Sequence, residues 1–586
     1  MRTLATESIS KVGQGITVMG WVQSRRDHGG LIFIDLRDHS GLLQLVINPE
    51  TAKAFKTAEE LRDEYVIAAE GMVVERSENL RNPHLETGGV EVKVAEIRIL
   101  NRADTLPIQP FAEAQANEEL RLRYRYLDLR RPKMQHMLKK RAAYYKFMRD
   151  YVESQGFTEV ATPILANSSP EGARDFLIPS RIHPGKFYAL PQAPQQFKQL
   201  LMVGGVPRYY QLAACFRDED PRADRLYGEF YHLDAEMSFV EDGEEVRTTF
   251  DPLITKLVTE FAGKTLLTTD VPRIPFTEAI EKYGSDKPDL RFGMELIELS
   301  DVFEKSEFGV FKNAVANGGA VKAICVKGGA SLSRSQIDSF TEIAKSEGAG
   351  GLAYLTYKDG EVQSPIAKFM NEVELTEVKN RSQAEDGDAV FFGADTRHVA
   401  NKVLGRLRNE FAAHFNLKDS NVVALCWIID FPFYELDEKS GKMDFGHNPF
   451  SMPKGGAQAL EHTENKLEIL ADQYDMVANG YEICSGGVRN HNPEVLYKVF
   501  GLLGFDEVYV EEKFGAMLNA FKYGAPPHAG CAFGLDRLFM VLMGEENIRE
   551  IVAFPKNGSG LDVMMNSPSH VDDQQLKELS VRIAEE

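Results

Sequence analysis

Two arginines far apart in the chain offer the same chemistry. Arg217 lies in "CFRDEDPRADR" at 215–225, and Arg537 lies in "GCAFGLDRLFM" at 530–540. Each comes at the end of a short strand-like run. A guanidinium stays charged, and its planar fork binds phosphate in a bidentate way. The pair suits a polyphosphate held over a sheet. A surface ion pair at a helix start is the alternative for Arg537, but cations are disfavoured at helix N-termini.

Residues 208–217 and 229–239 predict two strands around a charged loop, an antiparallel hairpin. Alternation sorts the second strand into two faces. One face carries Phe230, His232, Asp234, Glu236 and Ser238, and the other carries Tyr231, Leu233, Ala235, Met237 and Phe239. A buried structural strand would avoid titratable groups. We therefore expect the first face to be functional and the second to pack in the core.

The stretch "DMVANGYEICSGGVR" at 475–489 supplies two carboxylates, Asp475 and Glu482, and one cation, Arg489. Magnesium prefers hard oxygen ligands. The spacing of seven residues suits either facing turns of helix or two separate elements, so spacing alone does not decide between them. The two glycines shortly before Arg489 allow a ligand to approach the backbone closely.

The composition limits the class of protein. A chain of 586 residues suggests about four domains of about 150 residues each. No run of about 18 apolar residues is present, which predicts no membrane span. The N-terminal "MRTLATESIS" lacks the apolar core of a secretion signal. The five scattered cysteines, none in a Cys-x-x-Cys pair, favour a reducing cytoplasm and no structural zinc.

The net charge alone argues against nucleic acid as a partner, because it is −21. The segment 121–146 departs from this balance, with ten Lys or Arg residues against one acid, Asp128. It is interpreted either as a solvated helix face or as a phosphate-contacting hinge between domains.

Residues 1–105 predict about five short strands rich in Val and Ile, which is typical of a small OB-type barrel. Alternation places Ile32, Ile34 and Leu36 of one strand, and Leu43, Leu45 and Ile47 of the next, in the core. Phe33 and Gln44 then face outward. An exposed aromatic beside charges is typical of base stacking, with capping of the barrel mouth as the alternative.

The remaining chain separates into four predicted segments. Residues 106–135 form a hinge linker, 136–285 and 411–586 build one antiparallel sheet, and 286–410 interrupt it as an inserted α/β domain. An amphipathic helix is predicted before Gly156, followed by a strand that ends at Pro163. The apolar face of that helix consists of Tyr144, Phe147, Met148, Tyr151 and Val152.

The two arginine segments, in this order, resemble motifs 2 and 3 of class II aminoacyl-tRNA synthetases. The helix, the strand and Pro163 resemble motif 1, which builds the dimer interface in that family. The resemblance implies a multidomain α+β fold. Its parts are an N-terminal OB-type β-barrel, a class II synthetase antiparallel sheet with flanking helices, and the inserted α/β domain. It also implies ATP as a substrate and a homodimer.

The resemblance further implies roles at an ATP site. Arg217 would contact the α-phosphate and the amino-acid carboxylate. Arg537 would hold the γ-phosphate and cover the adenine, whose other face lies on Phe230. Glu219 would contact the adenine amino group. The other implied ATP residues are Asp218, Glu482, Gly534, Leu535 and Asp536, and Asp475 with Glu482 would hold Mg²⁺.

Residues 170–198, "FFGAD" at 391–395 and "FKYGAPPHAG" at 521–530 closely resemble bacterial aspartyl-tRNA synthetases, and the resemblance covers essentially the whole chain. It implies that Lys198 and Arg489 bind the side-chain carboxylate of aspartate, an anion that two cations would complement. The other residues implied to contact aspartate are Glu171, Gln195, Arg217, Asp234 and His447, with Gln195 and Asp234 holding the amino group.

The chain departs from this family pattern at several positions. Ala193 stands where Ser is common, so one hydroxyl contact to the amino group is absent, and His232 stands where Gln is common. The loop of motif 2 is one residue longer than the usual form, which leaves Leu226 and Tyr227 without assigned roles.

Alternatives remain open at this point. A related class II ligase, specific for asparagine or lysine, shares the barrel and the motifs, but Lys198, Arg489 and the insertion favour aspartate. A non-enzymatic OB-fold module with a degenerate synthetase domain is a third class. The intact phosphate and metal residues Arg217, Glu219, Asp475, Glu482 and Arg537 argue against it.

The resemblance implies tRNA(Asp), and also tRNA(Asn), as partners. The implied anticodon residues are Arg26, His28, Phe33 and Gln44. His28 in "SRRDHGG" and the segment "NPHLETGG" at 82–89 resemble relaxed enzymes that charge both tRNAs. A strict enzyme with neutral loop variation is the alternative.

Overall fold

The computed structural model describes residues 2–168, 173–437 and 440–584. The chain folds into two units, Met1–Ala116 and Asn117–Glu586. The boundary lies inside the segment predicted as a linker, 106–135. Residues from Asn117 onward form helices that belong to the second unit, so the linker ends earlier than predicted.

The first unit is a closed five-stranded barrel. Its elements are β1 (Gly15–His28), β2 (Leu31–Arg37), β3 (Leu42–Ile47), α1 (Ala52–Glu60), β4 (Val66–Glu75) and β5 (Val90–Asn101). The strand order is β1-β2-β3-β5-β4, in which β3 and β5 are parallel. The alternation predicted for β2 and β3 is confirmed, since Ile32, Ile34, Leu36, Leu43, Leu45 and Ile47 are all buried in the barrel core.

The second unit begins with helices and short strands. In chain order they are α2 (Glu118–Arg123), α3 (Arg125–Asp128), α4 (Pro132–Ser154), β6 (Thr158–Glu159), β7 (Leu177–Pro179), β8 (Phe187–Ala189), α5 (Gln195–Val203), β9 (Arg208–Arg217), β10 (Gly228–Ser238), α6 (Glu244–Lys256), β11 (Thr265–Leu266), β12 (Arg273–Pro275) and α7 (Phe276–Tyr283). Helix α4 buries Tyr144, Met148 and Val152 as its spacing predicted, and Gly156 follows it with φ +80°.

The strand predicted up to Pro163 is shorter than expected, because only β6 pairs with β9. The backbone N–H of Thr162 donates to Oε1 of Gln211 at 3.0 Å instead of to a neighbouring strand. The ladder therefore ends before the proline.

A separate five-stranded sheet follows α7. Its elements are β13 (Ile297–Glu298), α8 (Ser300–Phe303), α9 (Gly309–Ala316), β14 (Ala320–Val326), α10 (Arg334–Ser346), β15 (Ala353–Lys358), β16 (Glu361–Gln363), α11 (Glu372–Ser382), β17 (Ala389–Asp395) and α12 (Arg397–His414). The strand order is β13-β14-β17-β15-β16. The sheet lies within 286–410, the segment predicted as an insertion, although α12 continues to His414.

The last elements include four strands of a large sheet. In chain order these elements are β18 (Val422–Val423), β19 (Leu425–Ile429), β20 (Tyr434–Leu436), β21 (Met443–Phe445), α13 (Gly456–His462), β22 (Gln473–Ala478), β23 (Tyr481–Val488), α14 (Pro493–Gly501), α15 (Glu507–Phe521), β24 (His528–Gly534), α16 (Leu535–Met543) and α17 (Asp573–Glu578). Eight strands pair in the order β12-β19-β22-β23-β24-β10-β9-β6, in which β19, β22, β23 and β24 are the four from the last elements. Apolar side chains of α4, α6 and α16 pack with the sheet in one core. These sheets and helices confirm the predicted multidomain α+β fold.

Strands β9 and β10 form the predicted antiparallel hairpin. Leu233, Ala235 and Met237 are buried in the core, as alternation predicted. Tyr231 departs from the prediction because it is 42% exposed, and Phe239 departs because it is 73% exposed and has φ +61°. The backbone N–H of Phe239 donates to the carbonyl oxygen of Pro527, so the strand ends one residue earlier, at Ser238.

The basic segment 121–146 matches neither of its two interpretations in full. Arg121, Arg125 and Arg131 surround the buried carboxylate of Asp128. Arg125 also donates to three backbone carbonyl oxygens beyond α16. These three arginines therefore connect the start of the second unit to its C-terminal part. Their charged groups are engaged within the protein and do not form a solvated helix face.

Within the described residues, no helix has the length and apolar character that crossing a bilayer requires. None of the five cysteines, all of which lie in described parts of the chain, forms a disulfide.

Candidate active site

A cavity of about 290 Å³ opens on the polar face of β10. Its walls come from α5, β10, β23, β24 and the first turn of α16. It brings together many residues predicted for one site: Gln195, Lys198, Arg217, Glu219, Phe230, Asp234, His447, Glu482, Arg489, Gly534, Asp536 and Arg537. The residues that depart from the family pattern, Ala193, Leu226 and His232, also line it.

A buried cluster of two cations and two carboxylates lies at the base of this cavity. Nζ of Lys198 is 2.8 Å from Oδ1 of Asp234 and 3.1 Å from Oε2 of Glu236. Arg489 donates to the two oxygens of Glu236 at 2.7 and 3.1 Å. All four residues are buried, with at most 4% of their surface exposed. Their charges therefore balance one another away from bulk water.

Glu236 is a functional candidate that the sequence prediction did not assign. Alternation placed it on the same face as Asp234, and that position was the available signal. The structure shows a carboxylate that holds both Lys198 and Arg489. Because a buried charge needs a partner, Glu236 fixes where the two cations point.

Ionisation in this cluster follows from burial and from the neighbours. Burial disfavours the charged form of Glu236, but Arg489 and Lys198 outweigh it and lower the pKa of Glu236 from 4.5 to about 2. Burial has the larger effect on Asp234 and raises its pKa above the ordinary value, although Lys198 opposes this. Glu236 is thus the firmer counter-ion of the two cations.

Arg217 ends β9 at the cavity wall, with Cζ 5.2 Å from the centroid of the Phe230 ring. Its Nε is buried and has no hydrogen-bond partner among the described residues. Leaving a buried charged donor unsatisfied costs free energy. An anionic oxygen entering the cavity would satisfy it.

His232 packs edge-on against Phe230, with 4.9 Å between the ring centroids, and its Nδ1 is 3.6 Å from Sγ of Cys215. Burial, followed by the charges of Arg217 and Lys198, lowers the pKa of His232 well below 6.5. The side chain that replaces the usual Gln is therefore a neutral imidazole.

Arg537 lies in the first turn of α16. Its Nη1 donates to the carbonyl oxygen of Glu482 at 2.8 Å, and its Nη2 is 3.1 Å from Oδ2 of Asp224. Glu219 pairs with Arg225 at 2.8 Å. The loop between β9 and β10 therefore reaches the cavity with Asp224 and Arg225, to which the sequence assigned no role.

Asp475 on β22 and Glu482 on β23 lie on neighbouring antiparallel strands, so two separate elements account for their spacing. Asp475 is 2% exposed, and its Oδ1 has no hydrogen-bond partner within the described parts of the chain. Burial, and then the charge of Glu482, raise the pKa of Asp475 well above 3.8. Glu482 itself pairs with Lys287 at 3.2 Å.

The described residues contain no cluster of three or more side chains that would hold a metal by themselves. Mg²⁺ is commonly bound by one or two carboxylates together with the phosphates of a substrate. The unsatisfied oxygen of Asp475 and its repulsion with Glu482 fit this mode, because a cation would relieve both.

Helix α5 presents Gln195 and Lys198 to the cavity one turn apart. Nε2 of Gln195 is buried and lacks a partner among the residues described. His447 stands with Nε2 3.8 Å from Oδ2 of Asp475. Burial lowers the pKa of His447 below 6.5.

Two residues predicted for ATP binding also make contacts within the fold. The side chain of Leu535 is buried in the apolar core, so the predicted contact of this residue with ATP would come from its backbone. Asp536 accepts a hydrogen bond from the backbone N–H of Tyr231 at 3.0 Å and pairs with Arg141. It therefore ties α16 to β10 and α4.

Asp218, another residue predicted for the ATP site, does not line the cavity. Asp218 accepts a hydrogen bond from the hydroxyl of Tyr227 at 3.1 Å, which gives a structural role to a loop residue that had none. Glu171 lies outside the described residues.

The predicted anticodon residues lie on β1, β2 and β3 of the first unit. Phe33 is half-buried and opposes Arg26, which pairs with Asp35 at 2.9 Å. Nε2 of Gln44 donates to Glu91 at 3.1 Å. His28 is exposed at the end of β1, before a turn in which two glycines have positive φ.

Two parts of the chain match described families. Residues 16–100 match the family described as "OB-fold nucleic acid binding domain". Residues 117–558 match the family described as "tRNA synthetases class II (D, K and N)".

Relatives with curated names are similar over nearly the whole chain. The "Aspartate--tRNA(Asp/Asn) ligase" of Rickettsia felis is 49% identical over 580 residues, which cover 98% of this chain and 96% of the relative. The protein of the same name from Chlorobium phaeobacteroides is 49% identical over 568 residues, which cover 97% of this chain and 93% of the relative.

Solved structures show the same fold. The asparaginyl-tRNA synthetase of Pyrococcus horikoshii, complexed with asparaginyl-adenylate, has a TM-score of 0.58 at 19% identity and covers 95% of this chain and 98% of its own. The aspartyl-tRNA synthetase of Entamoeba histolytica has a TM-score of 0.56 at 19% identity, and the likeness covers 95% of this chain and 92% of that protein. The match over 117–558 and the relatives at 49% identity show that the chain belongs to the class II tRNA synthetases of the D, K and N group.

Proposed function

We propose that this chain is an aspartate–tRNA ligase, which activates L-aspartate with ATP and transfers it to the 3′ end of tRNA(Asp) and of tRNA(Asn). The names of the relatives at 49% identity support both tRNAs. The cavity supports the choice of amino acid.

The Lys198–Arg489 pair is the observation that carries this choice. Glu236 already holds both cations in a water-poor site, and they retain donors for one more anion. The side chain of aspartate supplies that anion. Asparagine would leave charged donors facing a neutral amide, and lysine would bring a third cation to the same place.

In the activation step, a carboxylate oxygen of aspartate attacks the α-phosphorus of ATP, and the bond to the leaving pyrophosphate breaks. Arg217, whose Nε lacks a partner among the described residues, would bind the α-phosphate and orient the attacking carboxylate. Arg537 would hold the γ-phosphate. Adenine would stack on Phe230, with Glu219 at its amino group. Positioning and charge neutralisation of this kind are the main contributions that a protein makes here.

Asp475 and Glu482 are the residues that would hold Mg²⁺, and the bound ion would neutralise charge on phosphate oxygens. Gln195 and Asp234 would bind the amino group of aspartate. Because Ala193 offers no hydroxyl, that group depends more on these two side chains. The remaining contacts proposed are His447 to the amino acid and the backbone at Gly534 to the nucleotide.

The barrel of the first unit would bind the anticodon. Phe33 offers a ring for base stacking, and Gln44 is held by Glu91 on the same outer face. His28 can donate to one base and accept from another through its two ring nitrogens. A leucine there could discriminate by shape alone, which supports relaxed recognition by this chain.

We also propose a homodimer in the cytoplasm. Large apolar side chains are exposed in the segment after α4: Ile164, Leu165, Leu177, Ile182 and Phe187. Exposed apolar groups that recur in one segment are typical of an interface. Cysteines without disulfide bonds are typical of proteins in a reducing compartment.

Pyrophosphate exchange tests the activation step. We expect ATP–pyrophosphate exchange with aspartate, and exchange at least about 100-fold slower with asparagine or lysine, because polar groups in the site would lose their partner. Fast exchange with one of those two amino acids would favour a related ligase. Exchange with none of the twenty would favour a non-enzymatic binding module.

A further inference from the structure

The loop between β9 and β10 places a carboxylate against the arginine that we assign to the γ-phosphate. Oδ2 of Asp224 is 3.1 Å from Nη2 of Arg537, and the carbonyl oxygen of Asp224 accepts from Nε at 3.4 Å. Nη1 donates to the carbonyl oxygen of Glu482. Every nitrogen of this guanidinium therefore has a partner within the protein.

The loop is fastened in this position. The carbonyl oxygen of Ala223 accepts from the backbone N–H of Ile548 at 2.8 Å. Arg225 donates to Glu219 at 2.8 Å and twice to the backbone inside the loop. Asp224 and Arg225 both line the cavity. The contact with Arg537 thus belongs to a folded loop at the cavity wall.

A carboxylate and a phosphate use the same donors of a guanidinium. A terminal phosphate bound at Nη2 of Arg537 would lie beside the carboxylate of Asp224, and two anions repel each other at such short range. ATP must therefore displace the carboxylate of Asp224 before its terminal phosphate binds to this arginine.

We propose that Asp224 competes with ATP for Arg537 and so sets the affinity of the site for the nucleotide. In the empty enzyme Asp224 neutralises Arg537, and on binding it gives that position to the γ-phosphate. When some molecules occupy a state that must be left before binding, the apparent Kd equals the intrinsic Kd divided by the fraction of molecules outside that state. This inference rests on the proposed function for the identity of the ligand.

Asp224→Asn tests the competition directly. It removes the charge, keeps the size of the side chain, and keeps the backbone carbonyl that Nε of Arg537 contacts. Asp220→Asn is the matched control, since Asp220 is an exposed carboxylate of the same loop and its removal changes the net charge equally. Binding of a non-hydrolysable ATP analogue with Mg²⁺ is measured by calorimetry without aspartate.

We expect Kd for the analogue to fall about three- to fivefold in Asp224→Asn, the range typical of a partly exposed ion pair. Asp220→Asn should stay close to wild type. A Kd that is unchanged or raised in Asp224→Asn relative to this control would overturn the proposal, because Asp224 would then support ATP binding or be irrelevant to it.

Pyrophosphate exchange separates this inference from the function on which it rests. In Asp224→Asn, KM for ATP should fall with Kd while KM for aspartate changes less than about twofold, because the two subsites are distinct. A fall in both would indicate a general change of the site and contradict the competition. Wild-type enzyme without any aspartate-dependent exchange would reject the proposed function, and the calorimetric comparison would still decide on Asp224.

Discussion

Lys198 should control the binding of aspartate and have little effect on that of ATP. Lys198→Met keeps most of the length of the side chain and removes its charge. Nζ of Lys198 lies 2.8 Å from Asp234 and 3.1 Å from Glu236, so the variant leaves both carboxylates to Arg489. The proposed ligand for this subsite, the aspartate side chain, loses one of its two cations.

The size of the effect follows from the burial of the cluster. A hydrogen bond to a charged group contributes about 1.5–3 kcal/mol. At about 1.4 kcal/mol for each tenfold change, KM for aspartate should rise roughly 10- to 150-fold. The same variant leaves an uncompensated buried charge, which costs about 3–5 kcal/mol of folding free energy.

The double variant Lys198→Met/Glu236→Gln separates the two effects. It removes one charge of each sign from the cluster, so it should recover much of the lost stability in urea unfolding. KM for aspartate should remain high, because the cation is still missing. Recovery of the wild-type KM together with stability would show that Lys198 acts on folding alone.

Steady-state pyrophosphate exchange is the assay, with ATP saturating for one series and aspartate saturating for the other. We expect KM for ATP to change less than about threefold in Lys198→Met, because the phosphates bind elsewhere in the cavity. A comparable rise in both KM values, or a rise for ATP alone, would refute the assignment.

Further predictions concern four other side chains. Arg217→Ala should slow pyrophosphate exchange at least about 100-fold, as the loss of a charge contact to the transition state typically does, and near-normal exchange would refute its role. Phe33→Ala should weaken aminoacylation by about 1–3 kcal/mol and leave exchange intact, whereas equal loss in both assays would indicate misfolding. The pKa of Glu236 is lowered from 4.5 to about 2, so its charge stabilises the fold above pH 4.5, and this contribution is lost as the pH falls towards 2. Glu236→Gln should therefore lower the urea midpoint at pH 7. If the difference in midpoint between variant and wild type does not narrow below pH 4.5, the ion pairs of Glu236 with Lys198 and Arg489 are contradicted. His28→Leu should widen the preference for tRNA(Asp) about 5- to 150-fold, mainly by weakening tRNA(Asn), and an unchanged ratio would remove His28 from recognition.

Local patterns predicted the strands that build the site. Alternation needs only a period of two residues, and in Gly228–Ser238 it separated the core side chains from Asp234 and Glu236. The same rule placed Phe33 and Gln44 outside the barrel core. Alternation does not predict which distant residues a side chain contacts. The ion pairs of Glu236 with Lys198 and Arg489 are therefore known only from the structure.

Contacts between distant parts of the chain could not be predicted in this way. Arg125 donates to carbonyl groups more than 400 residues further along the chain, so a local run of positive charge gave no sign of its burial. The contact of Asp224 with Arg537 spans 313 residues. Alternation predicts a strand through Phe239. Its positive φ goes with a hydrogen bond from its backbone N–H to the carbonyl oxygen of Pro527, a distant contact that the local pattern does not contain.

Charging of purified tRNA(Asp) and tRNA(Asn) transcripts with labelled aspartate tests the central claim most directly. We predict that both transcripts are charged, with kcat/KM values within about tenfold of each other, which is less than one full base contact provides. Failure to charge either transcript with aspartate would contradict the proposed activity. A preference for tRNA(Asp) of roughly several hundredfold would leave the activation of aspartate standing and contradict the relaxed recognition of the anticodon.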